Sequence, residues 1–310
     1  MLPKKLQDKI DARASDSSLR SLGLRQDLLD FSSNDYLGFS SSKKMYNKAC
    51  SFLKQHNYQA NGATGSRLLT ANHPLYLDTE KQIASFHNSP SALIFNSGYD
   101  ANIGFFSSVP QRGDVILYDA LCHASIRDGI AMSHAKGHKF THNNLQGLEA
   151  LLEAQNTPGK IRPEIYVVTE AVFSMDGDRP PLKEVASLCK KYSAYLIVDQ
   201  AHATGVIGPK GKGLVQELAL ENLVFARIVT FGKALGCHGA AILGSCELKS
   251  YLINFARSFI YTTALPPHTL ATIGAAYSEL EHNSDAIKKL QDNISTLQKC
   301  ILDAQLTPYF

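Results

Sequence analysis

The chain has 310 residues, of which 44% are apolar and 19% charged, a balance typical of a globular protein with room for one or two domains. The net charge of +3 includes no basic tract, so composition gives no indication of nucleic-acid binding. The N-terminal residues lack the apolar core of a signal peptide, and no apolar run approaches the roughly 20 residues of a membrane span. The six cysteines form no CxxC pair, which is typical of free thiols, and we expect a cytoplasmic protein.

Short apolar runs alternate with helical patterns through the middle of the chain. The runs predict five buried strands, at Ala92–Phe95, Val115–Tyr118, Ile165–Thr169, Tyr195–Val198 and Leu223–Thr230. Asn144 is the predicted cap of one helix, and Pro181 opens another whose apolar face comprises Leu182, Val185, Ala186 and Cys189. This alternation predicts an α/β fold with a mostly parallel sheet covered by helices on both faces.

Chemically versatile side chains follow the predicted strands. They are acids, histidines, a hydroxyl, a lysine and a glycine that opens a predicted helix: Gly98, His123, Glu170, Ser174, Asp199, His202 and Lys233. In parallel sheets ligands bind beyond the carboxyl ends of the strands. These residues therefore predict a binding site along one edge of the sheet.

One cofactor, pyridoxal 5′-phosphate (PLP), uses all of these groups. Its aldehyde requires a lysine amine for a Schiff base, and its ring requires a carboxylate that keeps the pyridine nitrogen protonated. Lys233 fits the first role and Asp199 the second. We expect His123 to stack on the ring, and His202 with Ser174 to hydrogen-bond the phenolic oxygen.

The phosphate of this cofactor requires donors of its own. A glycine-started helix N-terminus supplies amide N–H groups and the positive end of the helix dipole. The predicted donors are the amides of Gly98 and Tyr99 and the hydroxyl of Thr230, three residues before Lys233.

At these positions the chain resembles the α-oxoamine synthases, and most of all the biotin-pathway branch of that family. The stretches that carry the resemblance run in family order: FSSNDYLGFS (31–40), NGATGSRLLT (61–70), NSGYDAN (96–102), HASIRDG (123–129), TEAVFSMDGD (169–178), VDQAHATGVIGPKGKG (198–213), VTFGKALGCHGA (229–240) and FARSFIYTTALPP (255–267). The resemblance implies the PLP-dependent transferase fold of type I, with a small terminal α/β domain beside the sheet. It divides the chain into an N-terminal helix and arm (1–40), a PLP-binding large domain (41–270) and the start of a C-terminal small domain (271–310), which is longer in the family.

The resemblance also implies an activity. Family members are PLP-dependent acyltransferases that condense an amino acid with an acyl thioester and release CO₂. For the biotin-pathway branch, L-alanine and a pimeloyl thioester give 8-amino-7-oxononanoate. Whether the acyl carrier is CoA or a carrier protein stays open.

The family assigns roles to matching residues. Catalysis falls to Lys233, His123 and Asp199, and the cofactor is held by Gly98, Tyr99, His123, Ser174, Asp199, His202, Thr230 and Lys233. The substrate is contacted by His123 and by Arg20, and no metal is expected. A homodimer with shared sites is implied, because residues 31–40 and Tyr261–Pro267 match segments that reach the partner's site.

Several alternatives stay open. Sister enzymes that use glycine or serine (glycine acetyltransferase, aminolevulinate synthase, serine palmitoyltransferase) share nearly every motif. A transaminase is disfavoured by the HASIRDG and TTALPP stretches. A catalytically impaired scaffold subunit is disfavoured because Lys233 and Asp199 are both present. One departure is Gln200, where the family usually has an acid.

Two other patterns resemble binding sites. His134, His138 and His142 have the spacing of a metal site on a helix, but Gly137 interrupts such a helix. The glycines between residues 205 and 213 do not match the spacing of a nucleotide phosphate loop. We therefore predict neither a metal nor a nucleotide site.

Overall fold

The computed structural model describes residues 2–23, 29–155, 162–282 and 284–306. The chain divides into two compact units, Met1–Ser33 and Asn34–Phe310. The first unit contains helix α1 (Lys4–Ser15), which has no buried residue. Arg20 lies in this unit, after the helix ends, and is exposed.

The described part of the second unit is an alternation of helices and strands. Its helices are α2 (Lys43–Gln55), α3 (Pro74–Phe86), α4 (Gly98–Ser108), α5 (Ala124–Ala131), α6 (Leu145–Ala154), α7 (Leu182–Lys191), α8 (Leu214–Glu217), α9 (Cys246–Phe255), α10 (Arg257–Ile260), α11 (Pro267–His282) and α12 (Asp285–Asp303). Its strands are β1 (Ser91–Phe95), β2 (Val115–Asp119), β3 (Lys136–Phe140), β4 (Ile165–Glu170), β5 (Tyr195–Asp199), β6 (Ala226–Thr230) and β7 (Ala240–Gly244). Short 3₁₀ turns lie at Phe39–Ser41, Pro209–Gly211 and Glu221–Leu223, and a π-helical turn lies at Arg67–Ala71.

The seven strands form one sheet in the order β1-β7-β6-β5-β4-β2-β3. All neighbours from β6 to β3 pair in parallel, and β7 alone runs antiparallel to its two neighbours. The carboxyl ends of the parallel strands therefore lie along one edge of the sheet. This edge is where the predicted site residues follow their strands.

Helices cover both faces of the sheet. Successive strand residues point to opposite faces, so neighbouring residues of one strand pack in different cores. Ile197 of β5 belongs to a buried core that includes Phe105 of α4 and Leu252 of α9. Its neighbour Val198 belongs to a different core, which includes Val185 of α7. A third core lies between β1, β6 and β7 and helices α2, α3 and α11. The mostly parallel sheet predicted from the sequence is confirmed.

The predicted elements agree with the structure with one correction. Four predicted strands are present within one residue at each end, and Asn144 caps α6 by accepting a hydrogen bond from the amide of Gly147. The fifth run was predicted to be a strand from Leu223, but the strand begins at Ala226. Residues Glu221–Leu223 form a 3₁₀ turn, and pairing with β5 starts only at the Ile197–Ala226 pair.

The three regularly spaced histidines do not share a helix. Residues Lys136–Phe140, between His134 and His142, form the edge strand β3, four of whose five residues are exposed. Among the described residues no three His, Cys, Asp or Glu side chains are grouped to hold a metal ion. No helix in the described ranges is long and apolar enough to cross a membrane.

Candidate active site

Three ionisable side chains meet where β4, β5 and β6 end. Glu170 and Asp199 are the last residues of neighbouring strands and are register partners. Lys233 lies in the turn after β6 and is half-buried. The residues that carry the two carboxyl groups are almost fully buried, at 3% and 5% exposure, so water screens little of any charge placed there. The structure thus brings the predicted lysine and its predicted acid to one edge of the sheet.

The amine of Lys233 begins a chain of hydrogen bonds. Its Nζ lies 2.5 Å from Nε2 of His202, and Nδ1 of that ring lies 2.7 Å from the hydroxyl of Tyr36. The hydroxyl donates to Oδ1 of Asn34 at 2.9 Å, so it accepts a hydrogen bond from the N–H of Nδ1. Nε2 is then free to accept from the lysine amine.

Burial sets the charges along this chain. Burial, together with the positive charges of Lys233 and His123, lowers the pKa of His202 to about 4, so the ring is neutral at pH 7. Burial also lowers the pKa of Lys233, and the carboxyl groups of Asp199 and Glu170 offset only part of that effect. The lysine amine therefore loses its proton more readily than an exposed lysine, which favours a nucleophile or base.

Asp199 is fixed by two donors. Its Oδ2 accepts from the amide of Asn102 on α4 at 3.0 Å, and its Oδ1 accepts from the backbone N–H of Ala201 at 2.9 Å. The amide of Asn102 also donates to Ser125 at 3.0 Å, and the hydroxyl of Ser125 lies 2.8 Å from Nδ1 of His123. The predicted acid and the predicted stacking histidine are therefore linked through two residues for which the sequence predicted no role.

Glu170 is a further site residue to which the sequence analysis gave no role. Its Oε1 accepts from the backbone N–H of His123 at 2.5 Å, which fixes the start of α5. Burial and repulsion from Asp199 raise the pKa of Glu170 to about 8. At pH 7 Glu170 is therefore mostly a neutral acid. The sequence signal for Glu170 is its position, since it is an acid at the end of an apolar strand, as Asp199 is.

The proton of Glu170 makes stability depend on pH. Its pKa is higher in the folded chain than the ordinary 4.5, so its protonation stabilises the fold at low pH, and this contribution is lost progressively between about pH 4.5 and the folded-state pKa of about 8. Relative to Glu170→Gln, which cannot ionise, we expect the wild type to lose up to about 1.4 kcal/mol of unfolding free energy per pH unit in that window. Urea unfolding of both proteins from pH 5.5 to 8.5 measures this, with Glu184→Gln on an exposed face of α7 as control. Parallel pH curves for the wild type and the variant would show that Glu170 is ionised throughout.

The amino end of α4 lies beside Thr230. Ser97 caps the helix by accepting from the amide of Asp100, and a methyl group built on Gly98 would lie 3.8 Å from Oγ1 of Thr230. The two predicted phosphate donors, the Gly98 amide and the Thr230 hydroxyl, therefore belong to one small region. The side chain of Tyr99 points elsewhere, because its hydroxyl donates to Asp128 at 2.8 Å. Its backbone amide is the only group that the sequence analysis assigned to it.

A cavity of about 380 Å³ opens beside this chain of hydrogen bonds. Ser174, His202 and Tyr36 line it together with apolar side chains of α12 and of the turn after β4. Ser174 is exposed at its wall. The two residues predicted to contact the phenolic oxygen of the cofactor therefore face a common space.

The turn that carries Lys233 is held in place by close packing of its backbone against another backbone segment. Gly236 has a φ of +62° and donates its N–H to the carbonyl of Lys233 at 2.8 Å. A methyl group at this glycine would overlap the backbone of Phe39 and Ser40, in the 3₁₀ turn that follows Tyr36. The reactive turn and the segment that binds His202 thus touch backbone to backbone.

Two predicted features lie apart from this cluster. Of the Tyr261–Pro267 segment, residues 261–266 are irregular and Pro267 begins α11, and the amide of Asn96 donates to the Thr262 hydroxyl at 2.9 Å and to the Thr263 carbonyl at 2.7 Å. Gln200, the departure from the family, is buried, and its Oε1 accepts from the amide of Val215 at 3.0 Å. It therefore supports the following loop and does not face the lysine.

Comparison with known proteins identifies the family. A model of the aminotransferase class I and II family matches residues 26–307. The chain belongs to this family. It is 47% identical, over 81% of its residues, to an 8-amino-7-oxononanoate synthase from Emericella nidulans, and it spans 64% of that relative's length, which is less than two thirds.

Solved structures agree with this assignment. An 8-amino-7-oxononanoate synthase from Francisella tularensis has a TM-score of 0.73 at 32% identity, covering 90% of this chain and 76% of that one. A serine palmitoyltransferase from S. paucimobilis, with a bound PLP–myriocin aldimine, has a TM-score of 0.82 at 25% identity, covering 94% and 77%. The resemblance to the α-oxoamine synthases, noted from the sequence, is confirmed. The predicted type I fold is confirmed as well.

Proposed function

We propose that this chain carries the active site of a PLP-dependent α-oxoamine synthase. The observation that carries the proposal is the amine of Lys233 at the end of β6, with Asp199 buried at the end of the adjacent strand β5. An isolated buried carboxylate is costly unless a positive partner is supplied. Each oxygen of Asp199 has one donor and retains a free lone pair, which suits a protonated ring nitrogen.

The surrounding groups fit the rest of that cofactor. Thr230 and the amino end of α4 would hold its phosphate, His123 would stack on its ring, and His202 with Ser174 would bind its phenolic oxygen. When bound, PLP supplies a ring that accepts electrons from the Cα of an amino acid.

The side chains of this site then have defined tasks. Asp199 holds the proton on the ring nitrogen, where its charge matters most. Lys233, whose pKa is lowered by burial, takes a proton from Cα of the amino acid and returns it. His202 accepts a hydrogen bond from the lysine amine in either protonation state of that amine, because Tyr36 binds Nδ1 of the ring and leaves Nε2 as an acceptor. Glu170 and Ser125 fix the backbone and ring of His123.

The reaction that we propose is the condensation of an amino acid with an acyl thioester and release of CO₂. L-Alanine and a pimeloyl thioester, on CoA or an acyl carrier protein, are the proposed substrates, because the identity is higher to the 8-amino-7-oxononanoate synthases. Serine is the second candidate, since the serine palmitoyltransferase has the higher TM-score. Both reactions release a free thiol.

Release of that thiol provides the test. The full chain is incubated with PLP, with alanine, glycine or serine, and with pimeloyl-CoA or palmitoyl-CoA, and thiol release is followed with a chromogenic disulfide. We expect the alanine and pimeloyl-CoA pair to give the highest kcat/KM. A preference for serine with palmitoyl-CoA would support the second candidate. PLP binding without thiol release for any pair would contradict the proposed activity for this chain.

We also propose that the chain works as a homodimer with shared sites. Tyr261 is 72% exposed, and the neighbouring Thr262 is held against Asn96, next to the cap of the proposed phosphate helix. In a two-fold dimer one such segment completes two sites. Sedimentation with PLP bound should show a dimer, and Tyr261→Asp should weaken the dimer and PLP binding together. A monomer that condenses substrates at full rate would rule out shared sites.

A further inference from the structure

We propose that His142 is a positioning residue that holds the turn bearing Ser174 in place. This inference rests on the proposed function only where it concerns PLP. His142 lies just after β3, outside the set of residues expected to contact the cofactor. It joins the end of one strand to the turn after another.

His142 bridges two carboxylates. Its Nδ1 lies 2.8 Å from Oδ1 of Asp119, and its Nε2 lies 2.7 Å from Oδ2 of Asp178. A carboxylate only accepts, so both ring nitrogens face acceptors, an arrangement that favours the protonated ring. Burial alone lowers the pKa of His142, but the hydrogen bonds and charges of the two acids outweigh it and raise the pKa above its ordinary value.

One side of this bridge is rigid. Asp119 ends β2 and is fully buried, and its oxygens also accept from the backbone amides of Leu121 at 2.9 Å and Asn143 at 2.8 Å. Three donors and the strand therefore fix the carboxylate. The histidine on this anchor has little freedom to move.

The other side of the bridge is the turn 173–178. Within it, the amide of Phe173 donates to the carbonyl of Asp178 at 3.0 Å, and the amide of Gly177 donates to the carbonyl of Phe173 at 2.9 Å. The ring of His142 packs edge-on against Phe173, with the ring centroids 4.4 Å apart. The side chain of Asn143 adds a hydrogen bond to Asp178 at 2.7 Å. The turn is thus held at both of its ends.

Ser174 lies between these two held ends. It is exposed, and it lines the cavity that also contains His202. Among the hydrogen bonds that the structure shows for this turn, none is made by the side chain of Ser174. The orientation of Ser174 toward the cavity therefore depends on His142 through Phe173 and Asp178.

The first measurement needs no cofactor. Hydrogen exchange of the full chain without PLP is compared between the wild type and His142→Gln, which can donate to only one carboxylate at a time. We expect amides of residues 173–178 to exchange about tenfold faster in the variant, the effect of losing one charge-assisted hydrogen bond. His138→Gln, an exposed histidine on β3, is the matched control and should leave the turn unchanged. Unchanged protection in His142→Gln would overturn the proposal.

A second measurement separates positioning from general stability. PLP affinity is measured for the wild type, Ser174→Ala, His142→Gln and the double variant. If His142 acts through Ser174, His142→Gln weakens binding about tenfold in the wild type and causes no further loss in the Ser174→Ala background. Full additivity of the two losses would show that His142 acts only on the fold. If the wild type binds no PLP, the proposed function fails, and the exchange result alone decides this inference.

The charge state of the ring gives an independent signature. In ¹⁵N NMR of imidazole-labelled protein, the signal missing from His142→Gln should titrate at a pH above the ordinary histidine value of 6.5. Asp178→Asn, which removes the second carboxylate, should shift that titration to lower pH. A His142 ring that titrates at or below pH 6.5 in the wild type would contradict the two-carboxylate bridge.

Discussion

Replacing Lys233 with alanine should abolish both the covalent attachment of PLP and turnover. The wild type with PLP should show a visible absorption band that borohydride removes, leaving a reduced label on Lys233. The variant should show neither the band nor the label, because no other described lysine lies at the end of β5 or β6 beside Asp199. We expect kcat to fall at least about 10³-fold, because the same amine serves as covalent attachment point and base.

The control for this experiment is another lysine. Lys183→Ala, on the exposed face of α7, should retain the band, the label and full turnover. Peptide mapping of the reduced protein decides the position of the label. A label on any lysine other than 233 would refute the assignment, whatever the activity of the variants.

Replacing Asp199 with asparagine should separate cofactor binding from catalysis. The phosphate and ring contacts remain, so PLP should still bind. Without a carboxylate the ring nitrogen loses its proton, and we expect turnover to fall by roughly 10²–10³, which corresponds to about 2.7–4 kcal/mol of transition-state stabilisation. Turnover is measured per cofactor-loaded site, from absorbance and thiol release on the same sample.

The variant also has a structural effect that must be measured. Both oxygens of Asp199 accept from donors, Asn102 and the amide of Ala201, so an asparagine NH₂ group must face one of them. This mismatch costs about 1–3 kcal/mol of stability. Thermal unfolding of Asp199→Asn corrects for that loss, and Asp292→Asn on exposed α12 is the matched control. Near-normal turnover in loaded Asp199→Asn would assign the proton to another acid, and Glu170 is the nearest candidate.

The sequence predicted the sheet well where strands are buried on both faces. Ile165–Glu170 is buried at every position, and its continuous apolar run is unambiguous. Strand β3 was not predicted, because four of its five residues are exposed at the sheet edge and its letters, KGHKF, are polar. An apolar run precedes Ala226, so the strand was predicted to begin too early. Phe225 packs against the core although it lies in the connection before the strand. Apolar character reports burial, and burial is not limited to strands.

The candidate site was predicted to a similar degree. Strand-end chemistry pointed to Lys233 and Asp199, and the structure brings them to one edge of the sheet. Asn102 and Tyr36 have no comparable signal, because they are neutral residues whose role arises from contacts between distant segments. Arg20 lies in the first unit and stays a prediction from resemblance alone.

The contact between Tyr36 and His202 has a consequence for biosynthesis. These two residues are 166 positions apart, and Gly236, whose backbone meets the turn after Tyr36, follows still later. At about 5–20 residues per second, a ribosome takes roughly 8–33 s to make the intervening chain. During that time the segment around Tyr36 has emerged without its partner. The proposed PLP site therefore cannot form on a nascent chain until nearly the whole sheet has left the ribosome.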